Sequence, residues 1–292
     1  MQIDPAIIKK ILVINLAFIG DTILATPAVR ALRRAFPGAA IHMLVVPWAA
    51  DAARGNPFAD EVILYDKRGE HKNIFRLWAL ISRLRREKYD LAAAMNFAPR
   101  GAFVAWAAGV KYRLGWDAQH AALFLTHVAS AKRDRVRHET ENYLNLLKPL
   151  GITADDAALD FRLDPQAVAG LEGKLKIEKK DRPLVLVCPF GRHPLKSWTI
   201  SGYIELVRYV ATVADCILVG GRTEEQGLAE INAGAGNVAT ALAGVLSIGE
   251  LAALIAKADL LITVDTGPLH IAGAVGTPVL AIFGPTDYRG WG

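Results

Sequence analysis

Short, uninterrupted apolar runs alternate along the chain with stretches whose apolar residues recur at helical spacing. Residues 10–15 (KILVIN) form the first run and read as a strand buried on both faces. Residues 22–35 then carry a helical apolar period that stops before Pro37-Gly38. Runs at 40–46, 61–65 and 91–95 predict three further strands, with a helix over 73–87 between the last two. The pattern resumes later in the chain. Strands are predicted at 184–187, 216–219, 260–264 and 279–283, and helices at 200–213, 248–256 and 270–275. Apolar strands alternating with helices imply parallel sheets covered on both faces.

Between the two series, residues 165–182 are polar and rich in lysine, with Lys174, Lys176, Lys179 and Lys180. This stretch is expected to be a linker, part of it a surface helix. It separates an α/β domain over residues 1–164 from a second over 183–292. Two Rossmann-like halves suit a dehydrogenase, a sugar epimerase or a GT-B transferase, and the fold alone does not choose between them. A dinucleotide site would place Gly-x-Gly-x-x-Gly after the first strand. The turn here reads Ala17-Phe18-Ile19-Gly20-Asp21, and Gly220-Gly221-Arg222 also departs from that pattern, which argues against NAD.

Composition narrows the class. Of 292 residues, 52% are hydrophobic and 22% charged, as in a globular protein with cores to bury. No run reaches the roughly 18 apolar residues of a membrane-spanning helix, and no secretory signal is visible, so a cytoplasmic location is expected. Cys188 and Cys216 lie inside apolar runs and read as buried thiols in a reducing compartment. Residues 1–150 hold 22 Lys/Arg against 13 Asp/Glu, a net of +9, whereas 151–292 hold 12 against 16, a net of −4. The first half is therefore expected to meet something anionic: nucleic acid, a phosphorylated glycolipid or a membrane surface.

Five stretches can carry chemistry. Gly20-Asp21-Thr22 follows the first strand, and Asp21 is either a helix cap or a general base for an acceptor hydroxyl. Asp265-Thr266-Gly267-Pro268-Leu269-His270 lies between a strand and a helix, where backbone N–H groups favour a phosphate; the alternative is an Asp cap with a buried His. In residues 189–198, beside Gly191, three potential cations stand at Arg192, His193 and Lys196, and the lysine could neutralise a leaving diphosphate, although most lysines are simply solvated. Glu224 and Glu225 follow Gly220-Gly221. Each is either a ribose-binding acid or a favourable first-turn charge. Residues 72–88 place Lys72, Arg76, Arg83 and Arg86 around apolar side chains. This is either a helix lying on an anionic membrane or an ordinary surface helix.

Taken together, these motifs resemble glycosyltransferase family 9, the bacterial ADP-heptose:lipopolysaccharide heptosyltransferases. The segment LAGVLSIGELAALIAKADLLITVDTGPLHIAGAVGTPVLAIFGPTD, residues 242–287, carries the likeness most strongly. The opening GDTILATPAVRALRRAFPGAAIHMLV and the mid-chain His138-Glu139-x-x-Asn142-Tyr143 and Leu147-x-x-Leu150-Gly151-Ile152 are also similar to it. The resemblance implies a GT-B fold of two Rossmann-like domains with parallel sheets facing a central cleft. The N-terminal domain would take the acceptor and the C-terminal domain the donor. It implies inverting, metal-independent transfer of heptose from an ADP-sugar to an anionic lipopolysaccharide core acceptor, with no cofactor, no nucleic-acid partner and peripheral contact with the inner membrane. By position, Asp21 becomes the base. Lys196, Asp265, Thr266, Gly267 and His270 contact the donor, with Gly191 and Arg192 in the adjoining loop, Glu224 near the ribose and Leu246 near the adenine. Gly191 and Arg192 stand where other members carry hydroxyl side chains, which bears on donor identity. Relatives continue for several elements beyond Gly284-Pro285-Thr286, so a truncated or unusually short member is expected. The competing readings are a transferase for another nucleotide sugar and an inactive sugar-nucleotide-binding protein.

Overall fold

The computed structural model describes residues 3–131, 137–154, 156–176 and 182–292. Contacts divide the chain into two compact units, Met1–Asp160 and Phe161–Gly292. Each is an α/β domain built on a wholly parallel sheet, as the alternating pattern predicts.

In the first unit the strands are β1 Lys10–Asn15, β2 Ala40–Val45, β3 Glu61–Leu64, β4 Leu91–Ala94, β5 Tyr112–Trp116 and β6 His127–Ala129. Their order across the sheet is β3-β2-β1-β4-β5-β6. The chain therefore winds outward from β1 in one direction, returns, and winds outward in the other. The return lies between β1 and β4, paired from Ile11↔Leu91 to Ile14↔Ala94. Crevices open beyond the carboxyl ends of strands at such a switch point, so the loop after β1 is where a ligand is expected. The helices are α1 Ile19–Leu24, α2 Thr26–Ala35, α3 Ala50–Arg54, α4 Ile74–Arg86, α5 Arg100–Ala107 and α6 Glu139–Asn145. Leu80 and Leu84 of α4 and Val104 and Ala105 of α5 close over Leu12 and Ile14 of β1 in one fully apolar cluster.

The single helix expected over 22–35 is two helices broken at Ala25. Pro27 enters the first turn of the second, where its missing N–H is harmless. β5 and β6 were not legible in the pattern: YRLGW mixes polar residues with glycine, and β6 is three residues at a sheet edge.

In the second unit the helices α7 Pro165–Lys174, α8 Ile200–Val213, α9 Glu225–Gly234, α10 Ile248–Lys257, α11 Gly267–Val275 and α12 Tyr288–Trp291 accompany β7 Leu184–Cys188, β8 Asp215–Gly220, β9 Thr240–Ala243, β10 Leu260–Val264 and β11 Val279–Ile282. The order β11-β10-β7-β8-β9 puts the switch point between β7 and β10.

The stretch expected as a linker contains α7, and α7 belongs to this unit. It packs on α10 through small residues and ion pairs rather than an apolar stripe, which is why the pattern did not reveal it. Ala167 lies against Gly249, and Lys174 Nζ is 2.7 Å from Glu250 Oε1. Glu250 also closes a capping box with Ser247 at the start of α10. Lys179 and Lys180 lie outside the described residues. Upstream, Asp160 is tied to the first unit by Arg30 and by the Thr26 hydroxyl, so the boundary falls at 160/161 rather than 164/165.

Candidate active site

In the first unit, β1 ends in Asn15, a polar residue with no exposed surface at the end of an apolar strand. Such a residue must be hydrogen-bonded. Asn15 Nδ2 donates to the Asp21 carbonyl at 3.2 Å, and its Oδ1 accepts from Asn96 Nδ2 at 3.2 Å. Asn96, just past β4, in turn accepts from the Leu16 N–H. The two strands at the switch point thus fix the loop that leads to Asp21.

Asp21 sits in the first turn of α1, partly exposed. One carboxylate oxygen accepts from the Phe18 N–H at 3.3 Å, the bond of a helix cap. The other accepts from the Tyr143 hydroxyl at 3.3 Å. Tyr143 is a buried side chain of α6, 122 residues away. A carboxylate held at both oxygens has a fixed direction, which a general base requires.

Beside this loop lies a cavity of about 740 Å3 lined by Tyr65, Lys67, Arg68, His71, Lys72, Leu77, Pro99, Arg100, Phe103 and Phe124. Lys67 Nζ donates to the Leu16 carbonyl at 2.6 Å, so the cavity adjoins the Asp21 loop. Burial and the neighbouring Arg100 and Arg68 hold the Lys67 ammonium below its usual range. Cations gathered this closely repel one another, and an anion relieves the strain. Lys67, Arg68 and Arg100 were not singled out in the sequence; the Lys67-Arg68 pair just after β3 was the available signal. Lys72 lines the cavity. Arg76 pairs instead with Glu70 at 3.0 Å and Arg83 with Glu61 at 3.1 Å, both in solvent, and Arg86 is exposed.

In the second unit, four loops meet at the carboxyl edge of the sheet. Lys196 ends the loop after β7. Its Nζ lies 2.6 Å from Asp265 Oδ2 and 3.3 Å from the Asp265 carbonyl, in the turn after β10. Asp265 is only 4% exposed. It does not cap α11: the capping position is Thr266, whose side chain makes no cap bond. Gly267 and Pro268 open the helix, and His270 is buried in its first turns. Gly191 packs against Val264 and Lys196, while Arg192 is exposed.

After β8, Glu224 folds back so that its Oε2 accepts from the Gly221 N–H at 2.7 Å, whereas Glu225 begins α9. The loop after β9 crosses this turn. Gly244, at φ +63°, donates its N–H to the Gly220 carbonyl at 2.8 Å, and a side chain there would meet the Arg222 backbone. Only glycine fits such an approach at positive φ. Leu246, partly exposed, follows two residues later. The sheet thus gathers Lys196 with the Asp265–His270 turn on one side, and the Glu224 turn with the Leu246 loop on the other.

Among the described residues, no group of three or more His, Cys, Asp or Glu side chains is placed to hold a metal ion. Burial pushes the thiols of Cys188 and Cys216 up to about 12 and about 11, so neither is a ready nucleophile.

Residues 77–292 match the model of a family described as Glycosyltransferase family 9 (heptosyltransferase). The chain is similar to lipopolysaccharide heptosyltransferase 3 of Escherichia coli, 27% identical over 285 residues, spanning 94% of this chain and 83% of that protein. The crystal structure of a family 9 glycosyl transferase from Veillonella parvula superposes with a TM-score of 0.89 at 24% identity, covering 100% of this chain and 85% of that one. E. coli heptosyltransferase WaaC, solved with ADP-2-deoxy-2-fluoro heptose, superposes with a TM-score of 0.77 at 20% identity, over 95% and 90%.

Proposed function

The chain belongs to glycosyltransferase family 9, and from that premise we propose that it transfers heptose from ADP-heptose to an anionic lipopolysaccharide-core acceptor, with inversion and without a metal ion. The observation that carries the reading is the Lys196 ammonium held beside the Thr266–Gly267 turn. As the sugar carbon separates from the diphosphate, negative charge grows on the bridging oxygen. A fixed ammonium and the backbone N–H groups at the start of α11 stabilise that charge more than the bound ground state. These groups supply the neutralisation that a divalent ion supplies elsewhere. Glu224 accepts ribose hydroxyls and Leu246 packs on the adenine.

The acceptor hydroxyl gives its proton to Asp21 as its oxygen attacks the anomeric carbon. One C–O bond forms while the bond to the diphosphate breaks, which inverts the configuration. The cation-lined cavity at Lys67, Arg68 and Arg100 supports an acceptor carrying phosphate or carboxylate groups. Among the described residues no helix is long and apolar enough to cross a membrane, and two unpaired buried cysteines support a cytoplasmic setting.

The test is thermal stabilisation by a panel of nucleotide sugars, followed by mass analysis of a core acceptor incubated with the best of them. ADP-heptose should give the largest shift and add one heptose. A larger shift and transfer with a uridine or guanosine sugar would overturn the donor assignment. Stabilisation without any transfer would overturn the assignment as an active enzyme.

A further inference from the structure

Helix α4 buries Leu80, Ile81 and Leu84 against the sheet. A surface helix of this kind turns polar residues to water on its opposite side. α4 does so with Arg76, Ser82, Arg83, Arg85 and Arg86, but it exposes large apolar side chains among them. Phe75 is 80% exposed and Trp78 48%, and both project from the side away from the buried leucines, one turn apart. Ile74 beside them is 55% exposed.

The neighbouring helix α5 exposes Trp106 by half, and its ring meets Phe124 at a centroid distance of 5.5 Å. Leu123, next in the chain to Phe124, is 79% exposed. Isolated exposed apolar residues need no explanation, but large ones gathered from three adjoining elements mark a surface that meets a partner.

The charge on the same helix identifies that partner. Arg85 and Arg86 are exposed in the last turns of α4, and Arg76 and Arg83 pair with the solvent-exposed carboxylates of Glu70 and Glu61. Exposed pairs of this kind contribute little and exchange readily for other anions. A protein docking on Phe75 and Trp78 would have to bury or pair several guanidinium groups. A lipid surface accepts both kinds of group at once. Aromatic rings settle at the headgroup level, and guanidinium groups meet the phosphates around them.

We infer that the outer side of α4, with Trp106 and Leu123, docks on an anionic lipid bilayer. The inference deepens the reading of a lipid-linked acceptor by naming the residues that hold the enzyme at the surface carrying it.

The experiment is co-sedimentation of the full chain with vesicles of phosphatidylcholine alone, or of equal parts phosphatidylcholine and phosphatidylglycerol, with no sugar substrate present. Binding is expected to the anionic vesicles only, and it should weaken as salt is raised. The double variant Phe75→Ser/Trp78→Ser should lose about tenfold or more in vesicle partition, because two rings no longer insert. Arg85→Glu/Arg86→Glu should do the same. Transfer to a delipidated, water-soluble acceptor should be unchanged in Phe75→Ser/Trp78→Ser, which also shows that this variant is folded.

Equal binding to both vesicle types, or partition unaffected by either double variant, overturns the inference. So does a dimer in gel filtration that Phe75→Ser/Trp78→Ser converts to monomer, because the surface would then belong to a second copy of the chain. Absence of heptose transfer with vesicle binding intact would instead sink the proposed activity.

Discussion

The Lys196 ammonium lies 2.6 Å from the carboxylate of Asp265, which is 4% exposed and 69 residues further along the chain. The pair spans the switch point of the second sheet, where β7 and β10 are neighbours. Lys196 is also bonded to the Asp265 carbonyl, so its position does not depend on the carboxylate alone.

This arrangement separates structural from catalytic roles. Lys196→Ala leaves a buried carboxylate without its cation, which should cost about 3–5 kcal/mol of stability. Adding Asp265→Asn removes that buried charge, and the melting temperature should largely recover. Turnover should not recover, because the ammonium proposed to stabilise the leaving diphosphate is still missing, a deficit of about 10²–10³-fold. Melting curves and kcat of both variants decide the matter. A double variant with restored turnover would reduce Lys196 to a structural partner.

Asp21→Asn should lower kcat by about 10²–10⁴-fold while ADP-sugar affinity stays close to that of the unaltered protein. The amide still accepts from the Phe18 N–H, so a residue that only caps α1 would survive this change with little effect. Tyr143→Phe removes one hold on the carboxylate and should give a smaller loss in kcat, with ADP-sugar affinity unchanged. Near-normal turnover of Asp21→Asn at saturating acceptor would rule out the base.

Thorough chelation should leave turnover intact. Charge stabilisation is assigned to Lys196 and to the start of α11, neither of which needs an ion. Activity abolished by EDTA and restored by a divalent metal would contradict that assignment.

Gly244→Ala should both destabilise the second unit and weaken ADP binding. Positive φ alone costs an L-residue about 1–2 kcal/mol. The added Cβ would also sit 2.7 Å from the Arg222 backbone, so the Glu224 turn and the Leu246 loop must separate. Gly38→Ala is the control, since nothing lies within 4 Å of its Cβ position. Calorimetric titration with ADP reads the effect. Unchanged affinity in a folded Gly244→Ala protein would remove this turn from the nucleotide site.

The sequence by itself determined the central strands β1–β4, β7, β8, β10 and β11 and the division into two α/β series. Runs such as KILVIN and LLITV are too short and too apolar for anything but buried strands. The turns that follow them, at Gly20-Asp21 and Asp265-Thr266-Gly267, were legible as chemistry because glycine and acidic residues there interrupt an otherwise apolar pattern. Lys196 and Glu224 were legible as candidates, but their partners were not. Periodicity reports which way a side chain faces within its own element and carries no information on which strands become neighbours. Only the order β11-β10-β7-β8-β9 brings Lys196 to Asp265, and only the packing of α6 brings Tyr143 to Asp21. The same limit hid α7, which is held to α10 by Ala167, Gly249 and the Lys174–Glu250 pair with little apolar period to read. It also hid the exposure of Phe75 and Trp78. The sequence marked them as apolar positions of a helix, and only the tertiary structure decided that the sheet covers the other side, because one face of a single helix can pack on one sheet.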